Sequence, residues 1–179
     1  AGLEGLVEGL APNQQTEIAR LITFFEEEIP GSDALGTQLR ARLDERIQQG
    51  EPAAVVGFTG TGGAGKSSVV DELVRRFREE FPHRSVGMLL IDPTRRRSGG
   101  ALLGDRIRMN AIHGSEVFVR SMATRRAHLA MSTSVGDGLR VLRAAGFDLI
   151  LVETAGIGQS DSEIVDRVDL SLYVMTPEF

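Results

Sequence analysis

The sequence has no cysteine, no tryptophan and one tyrosine, and a single lysine among its 20 basic residues. The absence of cysteine excludes disulfides and thiolate metal sites, and it agrees with a reducing compartment, so we expect a cytoplasmic location. No apolar run approaches the roughly 18 residues of a membrane-spanning helix, and the amino terminus lacks the pattern of a signal peptide. The net charge of −5 argues against a nucleic-acid partner. We therefore expect neither a nucleic-acid partner nor a membrane partner.

The single lysine, Lys66, lies in the most informative stretch of the chain. Residues 60–67 read Gly-Thr-Gly-Gly-Ala-Gly-Lys-Ser, which matches the P-loop pattern G-x-x-x-x-G-K-[ST]. An apolar strand is predicted over residues 53–59, and apolar residues recur at helical spacing from Val70 to Phe81. Strand, glycine-rich loop and helix form the context that this motif requires.

The P-loop pattern assigns a role to each of its residues. Glycines let the backbone approach phosphate oxygens, and free N–H groups at the helix start point toward them. Lys66 is expected to reach the β- and γ-phosphates, and the Ser67 hydroxyl to ligate Mg²⁺. The predicted nucleotide-binding residues of the loop are Gly60, Gly62, Gly63, Ala64, Gly65, Lys66, Ser67 and Ser68.

The rest of the chain alternates short apolar strands with helices. This alternation predicts an α/β fold, a P-loop NTPase whose mostly parallel sheet is flanked by helices. The predicted strands cover residues 86–91, 117–119, 147–152 and 170–175, and a helix is predicted over 132–145. Ahead of them, two amphipathic stripes predict helices over about 13–28 and 35–49, packed on this domain or on a neighbour. We therefore divide the chain into a helical arm, 1–52, and a P-loop domain, 53–179.

Acidic residues follow two of the predicted strands directly. Asp92 and Glu153 fall at strand carboxyl ends, where ligands bind in such sheets, and can reach a metal held by Ser67. Asp105 lies just beyond a polar loop and can join them. The catalytic candidates are Lys66, Asp92, Asp105 and Glu153, and the candidate metal ligands are Ser67, Asp92, Asp105, Glu153 and Thr154. The alternative that these carboxylates cap the following helices stays open.

Residues 153–156, Glu-Thr-Ala-Gly, resemble the Asp-x-x-Gly switch of GTPases with Glu in place of Asp. Gly156 is expected to offer its N–H to the γ-phosphate, while Gln159 either orients the attacking water or lies on the surface. Arg108, one helical turn from Asp105, is a candidate nucleotide contact. Residues 95–97, all arginine, supply an arginine finger or form a solvated loop.

Four segments together resemble one group of P-loop GTPases. They are residues 57–68 (GFTGTGGAGKSS), 90–93 (LIDP), 98–109 (SGGALLGDRIRM) and 147–160 (FDLILVETAGIGQS). The group is the G-protein chaperones of adenosylcobalamin-dependent acyl-CoA mutases. Residues 120–125 and 174–179 resemble the form fused into isobutyryl-CoA mutase, and the stand-alone chaperones of methylmalonyl-CoA mutase are the next most similar. The resemblance covers roughly residues 53–179.

This resemblance implies a GTPase whose hydrolysis of GTP to GDP gates adenosylcobalamin loading and protects a mutase, which is fused or separate. The residues that match family positions are the phosphate and Mg²⁺ residues Lys66 and Ser67, the acidic metal and switch residues Asp92, Asp105 and Glu153, and the nucleotide contact Arg108. GTPase subunits of the family often pair, which makes a homodimer a candidate. Residues 1–50 would then link a B12-binding module to the GTPase. Such GTPases read guanine with an Asn-Lys-x-Asp segment, which cannot be present because Lys66 is the only lysine. We therefore interpret the chain as a fragment of a parent that is also a B12-dependent isomerase.

Three other functions are weighed against this interpretation. A P-loop kinase of small metabolites would use an arginine-rich lid such as residues 95–97, although the switch at residues 153–156 argues against it. A nickel-insertion GTPase would need His or Cys ligands, and His83, His113 and His128 show no ligand spacing. A non-hydrolysing regulatory nucleotide-binding domain is the non-enzymatic alternative.

Overall fold

The computed structural model describes residues 2–27, 29–92, 114, 116–123, 129–154, 164 and 166–177. Within these residues the helices are α1 (Leu3–Glu8), α2 (Gln15–Glu26), α3 (Asp33–Gln49), α4 (Lys66–Glu80) and α5 (Leu129–Ala144). The strands are β1 (Ala54–Gly60), β2 (Val86–Asp92), β3 (Val117–Ala123), β4 (Leu149–Thr154) and β5 (Leu170–Val174).

The strands form one sheet in the order β3-β2-β4-β1-β5, and every neighbouring pair is parallel. Phe58 of β1 lies opposite Glu153 of β4, and Ile91 of β2 lies opposite Thr154. The carboxyl ends of β1, β2 and β4 therefore meet at the same end of the sheet. This topology confirms the predicted parallel α/β fold.

Helices cover both faces of the sheet because side chains alternate along each strand. On one face, Val70 and Val74 of α4 pack in a cluster that includes Phe58 and Met88. On the other face, Val55 of β1 belongs to a second cluster that includes α5 and the arm helices. Apolar strands buried on both faces are the pattern expected of a parallel sheet.

The helical arm is part of the same hydrophobic core as α5 and the sheet. Five side chains from α2 and α3 are fully buried in it: Ile18, Leu21, Ile22, Leu39 and Leu43. Of the two locations that the sequence left open for the arm, the structure shows packing on this domain.

β3 and α5 depart most from their predicted extents, and α1 was not predicted. β3 continues to Ala123 because Arg120, which interrupts the apolar pattern, forms an ion pair with Glu26 of α2 and donates to Thr23 Oγ1 at 2.9 Å. α5 begins at residue 129, since its first three residues, Leu, Ala and Met, are strong helix formers. α1 was not predicted, because six residues are too few to show a period.

β5 lies at one edge of the described sheet with its side chains open to solvent. Leu170 is 53% exposed and Tyr173 is 60% exposed, and Met175 just beyond the strand is 62% exposed. Edge strands that carry exposed apolar side chains favour association with other chains. In the part of the chain that the structure describes, no helix combines the length and apolar character needed to cross a membrane.

Candidate nucleotide-binding site

The P-loop connects the carboxyl end of β1 to the first turn of α4, as its pattern predicts. Gly60, the last residue of β1, has φ 133°, and a Cβ built on it would lie 2.0 Å from the carbonyl oxygen of Val174. Gly65 adopts the left-handed conformation with φ 87° directly before the helix. Only glycine fits these two positions without strain, so the loop path depends on them.

The start of α4 has the properties of an anion-binding site. Its first turn carries no acidic residue, and within the described residues no side chain caps it. The loop glycines Gly62, Gly63 and Gly65 are exposed, and so are Ser67 and Ser68. Exposed N–H groups at the positive end of a helix attract phosphate.

Lys66 contacts the backbone of the loop directly. Its side chain is buried, and Nζ donates to the carbonyl oxygens of Gly60 at 2.8 Å and Thr61 at 2.9 Å. These contacts hold a cation against the loop without a carboxylate partner among the described residues. A phosphate oxygen can replace a neutral carbonyl at Nζ because an anion is the stronger acceptor.

The structure brings Ser67 and Glu153 into contact across 86 positions of sequence. The Ser67 hydroxyl donates to Glu153 Oε1 at 2.6 Å. Glu153 reaches it because β4 pairs with β1 and ends beside the loop. The contact therefore places a hydroxyl and a carboxylate, both hard oxygen ligands, at one point beside the phosphate-binding loop.

The other candidates at strand ends are Asp92 and Thr154. Asp92 is the last residue of β2, in register with Ala123 of β3, and its side chain lies outside the described residues. Thr154 is buried, and its Oγ1 donates to the carbonyl oxygen of Phe58 at 3.4 Å. This contact joins β4 to β1, and the role of Thr154 as a metal ligand stays a prediction.

Several candidates of the sequence analysis lie outside the described residues. They are Arg95, Arg96, Arg97, Asp105, Arg108, His113, His128, Gly156 and Gln159. Their roles stay predictions. His83 is described, and it is an exposed turn residue distant in sequence from the loop.

No motif indicated the buried carboxylate of α5. Asp137 is 2% exposed, accepts from Arg40 Nε at 2.9 Å and Nη2 at 2.8 Å, and accepts from Arg140 Nη1 at 2.7 Å. The hydrogen bonds that Arg40 donates to Asp137 outweigh the effect of burial and raise the pKa of Arg40. A single aspartate within an amphipathic helix gives no sequence signal of this kind, because only the fold brings α3 beside α5.

A sequence model of the family described as methylmalonyl Co-A mutase-associated GTPase MeaB matches residues 18–179. The chain belongs to this family. The match begins within α2, so the family pattern includes most of the helical arm as well as the P-loop domain.

Proteins named fused isobutyryl-CoA mutase are among the relatives of this GTPase chain. That of Geobacillus kaustophilus is 47% identical over 174 residues, which are 97% of this chain and 16% of that protein. That of Paraburkholderia xenovorans is 52% identical over 167 residues, or 90% of this chain and 13% of that protein. The chain therefore spans only 13–16% of the length of these relatives.

A solved structure supports the fold. The crystal structure of an LAO/AO transport system kinase superposes with a TM-score of 0.70 at 27% sequence identity, and the match covers 96% of this chain and 49% of that chain. Family membership favours the GTPase interpretation over the small-metabolite kinase and the nickel-insertion GTPase.

Proposed function

We propose that this chain binds Mg²⁺-GTP and hydrolyses it to GDP and phosphate. We further propose that it acts as a G-protein chaperone domain that gates adenosylcobalamin loading and protects a B12-dependent acyl-CoA mutase of the isobutyryl-CoA type, in the cytoplasm. The observation that carries this proposal is the 2.6 Å contact between Ser67 and Glu153 beside a buried Lys66.

The loop and Lys66 bind the triphosphate. The exposed amides at the start of α4 donate to phosphate oxygens, and Lys66 Nζ exchanges a carbonyl partner for a phosphate oxygen. Hydrogen bonds that involve a charged group contribute about 1.5–3 kcal/mol each. Binding fixes the substrate, which is most of what phosphoryl transfer requires of a protein.

The donor set also fits a magnesium ion. Mg²⁺ prefers oxygen ligands and takes one or two carboxylates, and Ser67 and Glu153 supply a hydroxyl and a carboxylate at one point. When bound, the ion neutralises charge on the phosphates. Glu153 accepts the hydrogen bond of Ser67 and so orients its hydroxyl oxygen. Asp92, at the end of β2, and Asp105 are proposed as further acidic residues of this site.

The mutase partner is proposed from the family and from the relatives. The family is described as mutase-associated, and the relatives at 47–52% identity are named as fused mutases. Adenosylcobalamin would belong to that mutase and not to the residues of this chain. A homodimer remains part of the proposal.

Phosphate release from GTP and from ATP by the full-length protein tests the enzymatic proposal. We expect Mg²⁺-dependent release from GTP, and Lys66→Ala should lower kcat/KM by about tenfold or more because a charge-assisted phosphate contact is lost. Arg75→Ala is the matched control, since Arg75 lies on the exposed face of the same helix, paired with Glu72 and Glu79. GTP binding without release above the Lys66→Ala variant would identify a non-hydrolysing regulatory domain.

Cofactor loading tests the chaperone proposal. Transfer of adenosylcobalamin to the apo-mutase is measured with GTP, with GDP and with a non-hydrolysable GTP analogue. We expect the rate of transfer to depend on the nucleotide, and equal rates with all three would contradict gating.

A further inference from the structure

Thr59, the second-last residue of β1, carries a buried hydroxyl directly before the P-loop. The residue is 4% exposed, and among the residues that the structure describes its hydroxyl has no hydrogen-bond partner. A buried hydroxyl without a partner destabilises the folded state, and most buried polar groups are hydrogen-bonded. Valine has the same shape without the hydroxyl. The presence of threonine at this position therefore requires an explanation other than the stability of the strand.

Thr154, the last residue of β4, is the neighbour of Thr59 on the adjacent strand. The register of β1 and β4 places Phe58 opposite Glu153, and Thr59 and Thr154 follow this pair along two parallel strands. Thr154 is also buried, with 2% exposed. It lies on the face of the sheet that α5 covers, because Val152, two residues earlier, packs in the same core as α5. The two threonines thus form a buried pair at the carboxyl ends of their strands.

The hydroxyl of Thr154 is able to accept a hydrogen bond from Thr59. Its Oγ1 donates to the carbonyl oxygen of Phe58 at 3.4 Å, and a hydroxyl oxygen that donates still has lone pairs with which to accept. Neighbouring strands lie about 4.8 Å apart, so rotation of Thr59 about χ1 brings its hydroxyl toward Thr154. Thr154 directly follows Glu153, which accepts from Ser67 at 2.6 Å. A hydrogen bond to Thr154 would therefore fix the end of β4 beside the proposed metal site.

The backbone next to Thr59 is in contact with the lysine of the P-loop. Gly60 follows Thr59 directly, and its carbonyl oxygen accepts from Lys66 Nζ at 2.8 Å. In the proposed function Lys66 exchanges a carbonyl partner for a phosphate oxygen, which releases this part of the backbone. We propose that the Thr59 hydroxyl then donates to Thr154 Oγ1, and that this hydrogen bond positions Glu153 for GTP hydrolysis.

Thr59 is a positioning residue in this inference, because it acts through Thr154 and Glu153 and not on the substrate. The inference rests on the proposed GTPase function and adds a residue of β1 to it. It also explains why a hydroxyl is buried without a partner, since the partner is gained when phosphate binds.

Two variants of Thr59 separate its hydroxyl from its shape. Thr59→Val removes the hydroxyl and keeps the branched side chain, whereas Thr59→Ser keeps the hydroxyl and removes a methyl group. Thr37→Val is the matched control, because it makes the same change at an exposed position of α3. The Thr37 hydroxyl donates to the carbonyl oxygen of Asp33 at 2.9 Å, within the same helix.

The kinetic test uses the full-length protein. We expect Thr59→Val to lower kcat for GTP by about fivefold, which is the effect of one hydrogen bond between neutral groups. KM and nucleotide affinity should stay within twofold of the parent, since the phosphate contacts of the loop are unchanged. Thr59→Ser and Thr37→Val should keep kcat within twofold. A parent-like kcat in Thr59→Val overturns the proposal, and so does an equal loss in Thr59→Ser.

A double variant tests whether Thr59 acts through Thr154. Thr154→Val should lower kcat by itself, because it removes the proposed acceptor. Adding Thr59→Val to it should cause no further loss, since both changes remove the same hydrogen bond. Losses that multiply in the double variant would show two independent effects and overturn the proposal.

Amide hydrogen exchange, measured with and without a non-hydrolysable GTP analogue and Mg²⁺, distinguishes failure of this inference from failure of the GTPase proposal. Without nucleotide, Thr59→Val should exchange in β1 and β4 no faster than the parent, because valine leaves no hydroxyl unpaired. Faster exchange would show that the hydroxyl already holds the strands together, and it would overturn the proposal.

The same measurement with the analogue tests the contact itself. The parent should exchange several-fold more slowly in residues 149–154, and Thr59→Val should lose most of this protection. Equal protection in parent and variant overturns the contact even if the parent hydrolyses GTP. Protection that depends on Thr59 in a parent that releases no phosphate would support the contact and overturn the proposed hydrolysis.

Discussion

At the scale of single residues, the hydroxyl of Ser67 and the carboxylate of Glu153 show how two distant motifs become one site. Each belongs to a recognisable pattern, yet neither pattern states that the two side chains meet. Their 2.6 Å contact follows from the parallel pairing of β1 with β4. Because the Ser67 hydroxyl donates to Glu153 Oε1, the negative charge of Glu153 and the hydroxyl oxygen of Ser67 lie side by side at the proposed metal site.

Glu153→Gln should therefore affect hydrolysis more than binding. The amide retains an oxygen that can accept from Ser67, but it removes the negative charge from the proposed metal site. We expect kcat to fall by about 100-fold, as for loss of one electrostatic contact in the transition state, while GTP affinity changes by less than about threefold. Stopped-flow phosphate release and calorimetry measure the two quantities. Glu79→Gln, on the exposed surface of α4, is the control, and a parent-like kcat in Glu153→Gln would make Glu153 a structural residue.

Asp148 stabilises the opposite end of the sheet. Its Oδ2 accepts from the Ser85 amide at 2.7 Å and from Ser85 Oγ at 3.0 Å, and its Oδ1 pairs with Arg84. Burial alone would raise the pKa of Asp148, but hydrogen bonds from Ser85 and Arg84 outweigh it and lower the pKa below 3.8. The carboxylate thus favours the folded state above that pH.

Asp148→Asn should reduce stability in a pH-dependent way. At neutral pH we expect a loss of about 1–3 kcal/mol, because the backbone and hydroxyl donors of Ser85 lose a charged acceptor. The parent's advantage should be complete well above pH 3.8 and disappear as the pH falls through the lower folded-state pKa. Denaturant unfolding of parent and variant at several pH values measures this. Glu45→Gln, an exposed change on α3, should stay within about 0.5 kcal/mol of the parent, and a pH-independent Asp148→Asn loss would contradict the linkage.

At the scale of elements, the sequence predicted the strands and helices whose apolar residues follow a simple pattern. β1, β2, β4 and β5 are short, mostly apolar segments, and α2, α3 and α4 carry clear apolar stripes. β3 was predicted too short because Arg120 breaks its pattern, and only the ion pair with Glu26 explains why a strand accepts that residue. α1 has no period to read. Sequence patterns thus omit contacts between residues that are far apart along the chain, such as this ion pair.

The contact of the helical arm with α5 also depends on polar contacts between residues that are far apart along the chain. Arg40 and Arg140 both reach Asp137, and Arg140 also donates to Asp44 Oδ1 of α3 at 2.6 Å. Since Asp137 is almost fully buried while Arg40 is 37% exposed, the carboxylate depends on its partners more than they depend on it. The polar contacts fix the orientation of α3 on a core that is otherwise apolar.

Asp137→Ala should weaken the attachment of the arm. The substitution leaves Arg40 without its carboxylate acceptor, whereas Arg140 keeps Asp44. Partial exposure of Arg40 reduces the penalty, so we expect a loss of about 2–3 kcal/mol. Denaturant unfolding of the full-length protein measures it. A double-mutant cycle with Arg40→Ala should give a coupling of about 1 kcal/mol or more. Coupling near zero would mean that the arm is held by apolar packing alone.

At the scale of the whole molecule, the helical arm and the P-loop domain share one core. The sequence predicted both parts, and it placed the arm on this domain or on a neighbour, because an amphipathic stripe shows which face is buried and not what covers it. The family match beginning within α2 agrees with an arm that folds with the GTPase. Truncation before β1 would therefore remove Ile18, Leu21 and Leu39, all fully buried, and would expose the apolar side chains of α5 and the sheet that share their core.

These 179 residues contain the features proposed to bind phosphate, but they lack the segment expected to recognise the base. The P-loop, the start of α4 and the Ser67–Glu153 contact are all proposed to bind the triphosphate, which GTP and ATP share. Guanine is selected by a carboxylate that accepts from its ring N–H and amino group. The Asn-Lys-x-Asp segment that supplies this carboxylate in related GTPases is absent from the sequence, because its only lysine is Lys66 of the P-loop.

Residues 1–179 alone should consequently prefer GTP to ATP by less than about tenfold, or roughly 1.4 kcal/mol. Titration of the purified chain with Mg²⁺-GTP and Mg²⁺-ATP measures the preference, after circular dichroism has shown that the chain is folded. The exposed apolar side chains of β5 make low protein concentration necessary. Lys66→Ala should weaken binding of both nucleotides equally, because the contacts proposed for Lys66 are to phosphate. A hundredfold preference for GTP would place base recognition in residues that the sequence analysis assigned to the arm or to the switch.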